Sequence, residues 1–369
     1  MKNSIGVAAF ATIMWSLCMT STIAAAAPVT DFAARKTQVM DFLTKLKTDN
    51  RTLAGTQVNE YEEFLRCNSM DRLVDMTGTE PALLGLELMF AKEYRGYEDA
   101  LVHQAVEHTK RGGLVTMSWH ERNPLQVCVR GEHYDCTRSK MSDDEFDRML
   151  TPGTAENALW VSDVAALAKT LQRLQNAGVI VLFRPYHEMN GAWFWWGQKK
   201  AFPRLWDALY EQLENKHALR NLIWVWSGDR AVPDAKTYWP VQHPTAIVGS
   251  DVYEENSDSP LFYDGAKNFA AIDPHAMFAY TEIGHLPSDA AMSATHPLWV
   301  LLWGGEYLNA EWSTTQPCTQ CNTPDAMRTF FAKPRMMSLA QMPLDIKTEL
   351  AGGKPHSAPQ HPKCAAKLL

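Results

Sequence analysis

Eight short apolar runs recur along the chain and constrain its fold more than any other feature. They are Leu53–Val58, Ala82–Phe90, Gly113–His120, Val179–Glu188, Leu222–Gly228, Ala246–Tyr253, Met277–Gly284 and Leu298–Gly305. Most are apolar at successive positions and do not alternate with polar residues. Strands covered on both faces read that way, because neither face meets water. Amphipathic helix signals fall between several of the runs. Trp160, Val164, Leu167, Leu171 and Leu174 recur at four- and three-residue steps, and Gly178 ends that helix. Phe202, Leu205, Trp206, Leu209 and Leu213 repeat the pattern before the fifth run. Between the fifth and eighth runs the helix signal weakens. There Pro233, Pro240, Pro260, Pro274 and Pro287 break the chain into short pieces.

Strands alternating with helices in this way predict an α/β fold, a closed (β/α)8 TIM barrel built as a single domain. The competing architecture is an open doubly wound sheet. No Gly-rich phosphate turn follows the first run, which disfavours it. A helix near Asp31 to Lys47 leads into the barrel, which spans residues 28–343. Residues 344–369 form a C-terminal tail with Gly352 and Gly353, expected to wrap the periphery or stay partly disordered.

The first 27 residues read as a signal peptide. Lys2 supplies the positive start, Ile5 to Met19 the apolar stretch, and Ala24 to Ala27 the small-residue cleavage site before Pro28. The expected location is therefore secreted or periplasmic, with no membrane attachment once the signal is removed. Cys18 leaves with the signal, and six cysteines remain. An even number in an exported chain suggests disulfides. Cys128 and Cys136 are close enough to staple one loop, and Cys318-x-x-Cys321 reads as a local disulfide. Cys67 with Cys364 follows by elimination only.

In such a barrel the reactive groups lie at the C-terminal ends of the strands. Most of the 42 acidic residues fall on helices or loops, where a solvated charge is the default. Glu188 ends the fourth run and Glu282 the seventh. An acid at the end of a buried strand is costly to place unless it is used or paired, here with Arg184. Arg184, His187 and Glu188 precede Trp193, Phe194, Trp195 and Trp196, which are expected to wall the site. Flat rings stack on pyranose faces, and apolar surroundings raise a carboxyl's pKa so that it can donate a proton. Thirteen Trp in the chain favour a carbohydrate ligand, and the net charge of −7 argues against nucleic acid or an acidic polymer. Two carboxyls flanking a sugar define glycoside hydrolysis.

These residues carry a family resemblance. Arg184-Pro185-Tyr186-His187-Glu188-Met189-Asn190-Gly191-Ala192-Trp193-Phe194-Trp195-Trp196-Gly197 resembles the acid/base motif of glycoside hydrolase family 26. Thr281-Glu282-Ile283-Gly284 resembles its nucleophile strand, and Gly112 to His120 its third strand. The likeness spans the barrel from Leu53 to about Gly305. It implies a retaining endo-β-1,4-mannanase acting on mannan, glucomannan or galactomannan, a neutral plant-type polysaccharide; the chain is expected to act as a monomer. Glu188 would be the general acid/base and Glu282 the nucleophile. His120, His187 and Trp193 would bind sugar. Tyr253 would hydrogen-bond the nucleophile, Arg184 would lie beneath both carboxylates, and Trp303 would floor the subsite of the reacting sugar. No metal or organic cofactor is implied. Relatives also cut β-1,3-xylan or mixed-linkage β-glucan, or release mannobiose from chain ends, and a polysaccharide-binding protein without turnover is the rival from another class. Glu87 stands where many relatives carry Asp. Trp303-Gly304-Gly305-Glu306 lacks the basic residue that some relatives place there.

Other features have plainer readings. His187-Glu188 begins like a zinc-protease motif, but Gly191 replaces its second histidine. His285 reads as a loop histidine. Trp224 and Trp226 share one strand face and either point into the barrel mouth or pack. Trp160 and Trp206 sit on helix faces and read as core.

Overall fold

The computed structural model describes residues 31–58, 67–89, 95–129, 133–230, 235–310 and 317–364. The signal-peptide reading of residues 1–27 lies outside them. All eight apolar runs contain a strand: β1 Thr52–Gln57, β2 Leu83–Glu87, β3 Leu114–Trp119, β4 Val181–Pro185, β5 Leu222–Asp229, β6 Ile247–Val252, β7 Met277–Ile283 and β8 Trp299–Leu302. Each pairs in parallel with the next, and β8 pairs with β1, which closes the barrel. A two-residue strand, β9 Met336–Met337, pairs in parallel with the start of β1 at Thr52 and Leu53.

Every residue of these eight strands is buried, and their side chains divide alternately between two cores. Leu53, Leu83, Leu182, Ile223, Ile247 and Leu301 belong to one cluster, together with Val39, Phe42, Leu43 and Leu46 of the leading helix α1, Phe32–Thr48. Their sequence neighbours Ala54, Leu84, Phe183, Trp224, Val248 and Val300 belong to the other, which contains the surrounding helices. A period of two on strands covered on both faces produces two apolar layers and no polar stripe.

The helices that follow are α2 Ser69–Thr77, α3 Tyr97–Lys110, α4 His133–Thr137, α5 Asp143–Met149, α6 Ala155–Asn176 and α7 Phe202–Tyr210, then α8 Pro260–Ala270, α9 Asp289–Thr295, α10 Pro324–Phe331 and α11 Leu344–Ala351. Helix α6 ends at Asn176, with Gly178 at φ 78° just beyond it. Helix α7 passes into a π-helical turn, Glu211–Lys216. One proline was misjudged. Pro260 starts α8, occupying the first turn where no backbone N–H is needed, while Ser259 accepts from Leu261 N. Between β5 and β6 the described residues hold a 3-10 turn, Ala235–Tyr238.

The described part of the tail, to Cys364, packs on the periphery of the barrel. Helix α11 docks on α1, where Arg35 pairs with Glu349 at 3.1 Å. Beyond it His361 reaches Asp71 on α2 at 2.8 Å, and Cys364 is bonded to Cys67. The pairs Cys128–Cys136 and Cys318–Cys321 are also joined. Among the described residues no helix is long and apolar enough to cross a membrane.

Candidate active site

Strand β4 ends at Pro185, and the chain then turns sharply. Tyr186 and Glu188 take φ values of 49° and 53°, a region that residues with a Cβ rarely adopt. Surrounding bonds hold this strained turn. Glu188 N donates to Ser227 O on β5 at 2.9 Å, Gly191 N to Glu188 O at 2.9 Å, and Asn190 Nδ2 to Asp229 O at 2.8 Å. The turn carries the Glu188 carboxyl over the barrel mouth. There Trp193 Nε1 donates to its Oε2 at 2.6 Å. Gly191 permits this approach, since a Cβ at that position would lie 2.3 Å from the Trp193 ring.

Glu282 arrives on β7. Arg184 donates to its Oε1, and Tyr253 OH donates to Oε2 at 2.7 Å. Glu188 and Glu282 line one cavity of about 440 Å³ at the C-terminal ends of the strands. His120, His187, Trp193, Tyr253 and Trp303 line it too. Arg184, 1% exposed, does not line the cavity. It was expected beneath Glu188 and Glu282. Its second partner is instead Asp251, at 3.1 Å, and it makes no ion pair with Glu188 among the described residues.

The two carboxyls sit in opposed surroundings. Burial pushes Glu188 well above the usual carboxyl range, and the nearby acids Asp251, Glu282 and Asp229 push it further, against the Trp193 bond. Glu282 instead receives two donated hydrogen bonds, one from a guanidinium. Burial and the Arg184 charge push the His187 imidazole well below its ordinary value. His187 Nε2 lies 3.5 Å from Glu282 Oε1. Burial works to lower His120 as well, yet Glu87, 2.6 Å from its Nδ1, raises it overall. Two histidine rings 4.2 Å apart thus differ in charge preference.

Glu87 holds His120 in place. It also accepts from Ser118 Oγ at 2.7 Å and from the backbone of Met89 and His120. The longer side chain at the position where relatives carry Asp is therefore fully bonded.

The aromatic wall is thinner than expected. Trp193 and Phe194 line the cavity; Trp195 and Trp196 do not. Those two are 1% and 0% exposed, with indole nitrogens bonded to Glu121 O and His187 O. They buttress the strained turn from behind. Trp224 and Trp226 both pack outward, bonded to Glu214 and to Tyr238 O. Trp160 donates to Tyr186 OH. His285 lies 3.3 Å from Ser257 Oγ and does not line the cavity.

Sequence reasoning missed Asp251 and Asp229. Both occupy the upper ends of strands, so the end-of-strand rule selects them as readily as Glu188. Asp229 was overlooked because the fifth run was closed one residue early, at Gly228. Burial raises it to about 6. Asp251 accepts from Thr281 Oγ1 at 2.6 Å and from Ser227 Oγ at 3.1 Å. A lone acid inside a strand apolar on both faces needs such partners, and that was the available signal. His187, Asp251 and Glu282 bring donor atoms within 4.8 Å of one another. Arg184 already bridges the two carboxylates of that trio and supplies the positive charge that an ion would bring.

A parallel (β/α)8 barrel with paired carboxyls over its mouth defines the class. The sequence profile of glycosyl hydrolase family 26 matches residues 29–319, and the chain belongs to that family. A mannan endo-1,4-β-mannosidase of Thermothelomyces thermophilus is 31% identical over 283 residues, covering 74% of this chain and 56% of that protein. The chain thus spans little more than half of that relative. The mannan endo-1,4-β-mannosidase of Bacillus subtilis strain 168 is 31% identical over 297 residues, covering 74% of this chain and 77% of its own. Among solved structures, a GH26-CBM35 β-(1,4)-mannanase of Podospora anserina superposes with a TM-score of 0.70 at 28% identity, over 85% of this chain and 67% of that one.

Proposed function

We infer that the protein is an exported, retaining β-mannanase that cleaves internal β-1,4 bonds of mannan-type polysaccharides. The observation that carries this reading is the contrast between two carboxyls on one cavity: Glu188 is buried among other acids, which pushes it well above the usual carboxyl range, while Glu282 accepts hydrogen bonds from Arg184 and Tyr253. A retaining glycosidase needs one acid and one carboxylate nucleophile. A carboxylate oxygen of Glu282 attacks the anomeric carbon. The glycosidic bond breaks, and its electron pair stays on the departing oxygen, which takes the proton from Glu188. Glu188, now charged, removes a proton from water. That water displaces Glu282 from the sugar with a second inversion. His120, His187 and Trp193 contact the bound sugar, and Trp303 lies under it.

The mannan assignment is supported by the names of the relatives. Export is supported by the N-terminal sequence and by three disulfides, which persist in oxidising compartments. The decisive experiment has two parts. Reducing ends are assayed on mannan, β-1,3-xylan and mixed-linkage β-glucan; activity only on the latter two overturns the substrate. The enzyme is then trapped with a 2-fluoro-mannosyl inactivator and mapped; a label on any residue but Glu282 overturns the mechanism.

A further inference from the structure

The loop after β3 carries an arm that the chemistry above does not use. Cys128 and Cys136 are joined across it, and the short helix α4 lies within the stapled segment and just beyond. The arm is fastened to the segments that follow β3 and β4. Thr137 Oγ1 donates to His120 O at the end of β3, at 3.4 Å. Trp195 N, in the turn after β4, donates to Thr137 O at 3.0 Å. Lys140 Nζ donates to Ala192 O at 3.0 Å. The arm therefore cannot shift without moving the His120 and Glu188 segments.

What the arm presents is unusual for a surface loop. Val127, Val129 and Tyr134 are 100%, 60% and 45% exposed. They are three of the six large apolar side chains so exposed among the described residues. Apolar side chains concentrated on one surface feature mark a contact site. Tyr134 and Arg138 also line the same cavity as Glu188 and Glu282. The Tyr134 ring stands edge-on to His120 at 6.1 Å and to Phe194 at 6.4 Å, so it continues the wall begun by Phe194. The Arg138 guanidinium lies 5.7 Å from the Tyr134 ring centre. It is exposed and makes no ion pair among the described residues.

We propose that the disulfide-stapled arm extends the cleft by one sugar-binding platform, with Tyr134 stacking on a pyranose face and Arg138 donating to its hydroxyls. The bound unit belongs to the same polysaccharide chain that lies across Glu188 and Glu282, so the proposal rests on the hydrolase reading. A pyranose has an apolar C–H face and a rim of hydroxyls, which matches a ring beside a guanidinium. The staple fixes the platform before binding, so little ordering entropy is lost when sugar arrives. Tyr134 and Arg138 act on chain binding and length preference, and neither touches the bond being broken.

The test compares kcat/KM on manno-oligosaccharides of two to six units. Tyr134→Ala should lower the hexamer-to-dimer ratio roughly tenfold, the loss expected for one aromatic contact. Tyr134→Phe should keep most of the ratio. Arg138→Ala and the pair Cys128→Ser with Cys136→Ser should lower it by less. Val241→Ala, exposed elsewhere on the surface, serves as the control. An unchanged ratio in Tyr134→Ala overturns the platform. A loss equal at every length also overturns it, since that is the signature of a structural brace. If xylo- or gluco-oligosaccharides prove to be the substrates, the same ratio is taken on that series. For a chain that binds without turnover, calorimetric affinity against length gives the same answer. A wrong linkage and a wrong arm therefore fail separately.

Discussion

Replacing Trp193 with Phe removes one hydrogen bond and keeps a ring. The indole Nε1 donates to Glu188 Oε2 at 2.6 Å, and a bond of that kind favours the charged carboxylate. It therefore opposes the burial that raises the Glu188 pKa. Without it the Glu188 pKa rises further. A hydrogen bond to a charged group contributes about 1.5–3 kcal/mol. Trp193 is only half-buried, so water replaces part of the loss and the lower end applies. At about 1.4 kcal/mol per pH unit, the shift is roughly one unit. Activity needs Glu188 protonated at the start of the cycle, so the alkaline limb of the kcat/KM profile reports its pKa. That limb should move up by about one unit in Trp193→Phe, while the acid limb stays in place. Initial rates on soluble mannan between acid and alkaline pH measure both limbs. An alkaline limb that stays fixed or moves down would refute the argument, because the bond would then not favour the charged form.

Gly191→Ala should reproduce part of this shift without touching Trp193 directly, since its Cβ would meet the indole at 2.3 Å and push it off Glu188; an unaltered pH profile would count against that account. Glu188→Gln should raise Tm at pH 7 more than at pH 4. The native carboxyl stays protonated above its unfolded pKa, so stability is lost as pH rises past that value, and an uncharged amide avoids the loss. Equal Tm changes at both pH values would contradict it. His361→Ala should destabilise at pH 6 and have little effect at pH 10. The hydrogen bond to Asp71 and the Glu80 carboxylate 3.8 Å from Nε2 raise the His361 pKa to about 9, so its contribution is complete below about 6.5 and vanishes as pH passes 9. Thermal melts at the two pH values decide this, and a larger loss at pH 10 would reverse the sign.

The barrel was legible because both its layers are apolar. Runs such as Val179–Phe183 and Leu222–Val225 have no polar face to confuse with a surface strand, and each became a strand where expected. Pro260 was misread because a proline ends one segment and begins another with the same residue type; only Ser259 before it distinguishes the two. At the site, Glu188 and Glu282 were legible as strand-end acids. The split of the aromatic cluster was not. Trp193 and Trp195 differ by two positions, but the turn after Pro185 follows neither helix nor strand periodicity. Which rings face sugar and which face the core depends on bonds such as Trp195 Nε1 to Glu121 O, made to a distant part of the chain. The partners of Asp251 were hidden for a related reason. Its position as a lone acid in an apolar strand flags it, but Arg184, Ser227 and Thr281 come from three different strands, and no local pattern names them.

Strand β1 has neighbours from both ends of the sequence. It bonds to β2 soon after it in the chain, but also to β8 and to Met336–Met337. Contacts so remote in sequence form late, since a long loop must close before they reward the chain. During synthesis one edge of the first strand stays open until Trp299–Leu302 has emerged. An open edge in a nascent chain is a place where strands of neighbouring molecules can add. Yield of soluble protein should therefore fall with the concentration of unfinished chains, and the region around Thr52–Gln57 is where a chaperone would do most good.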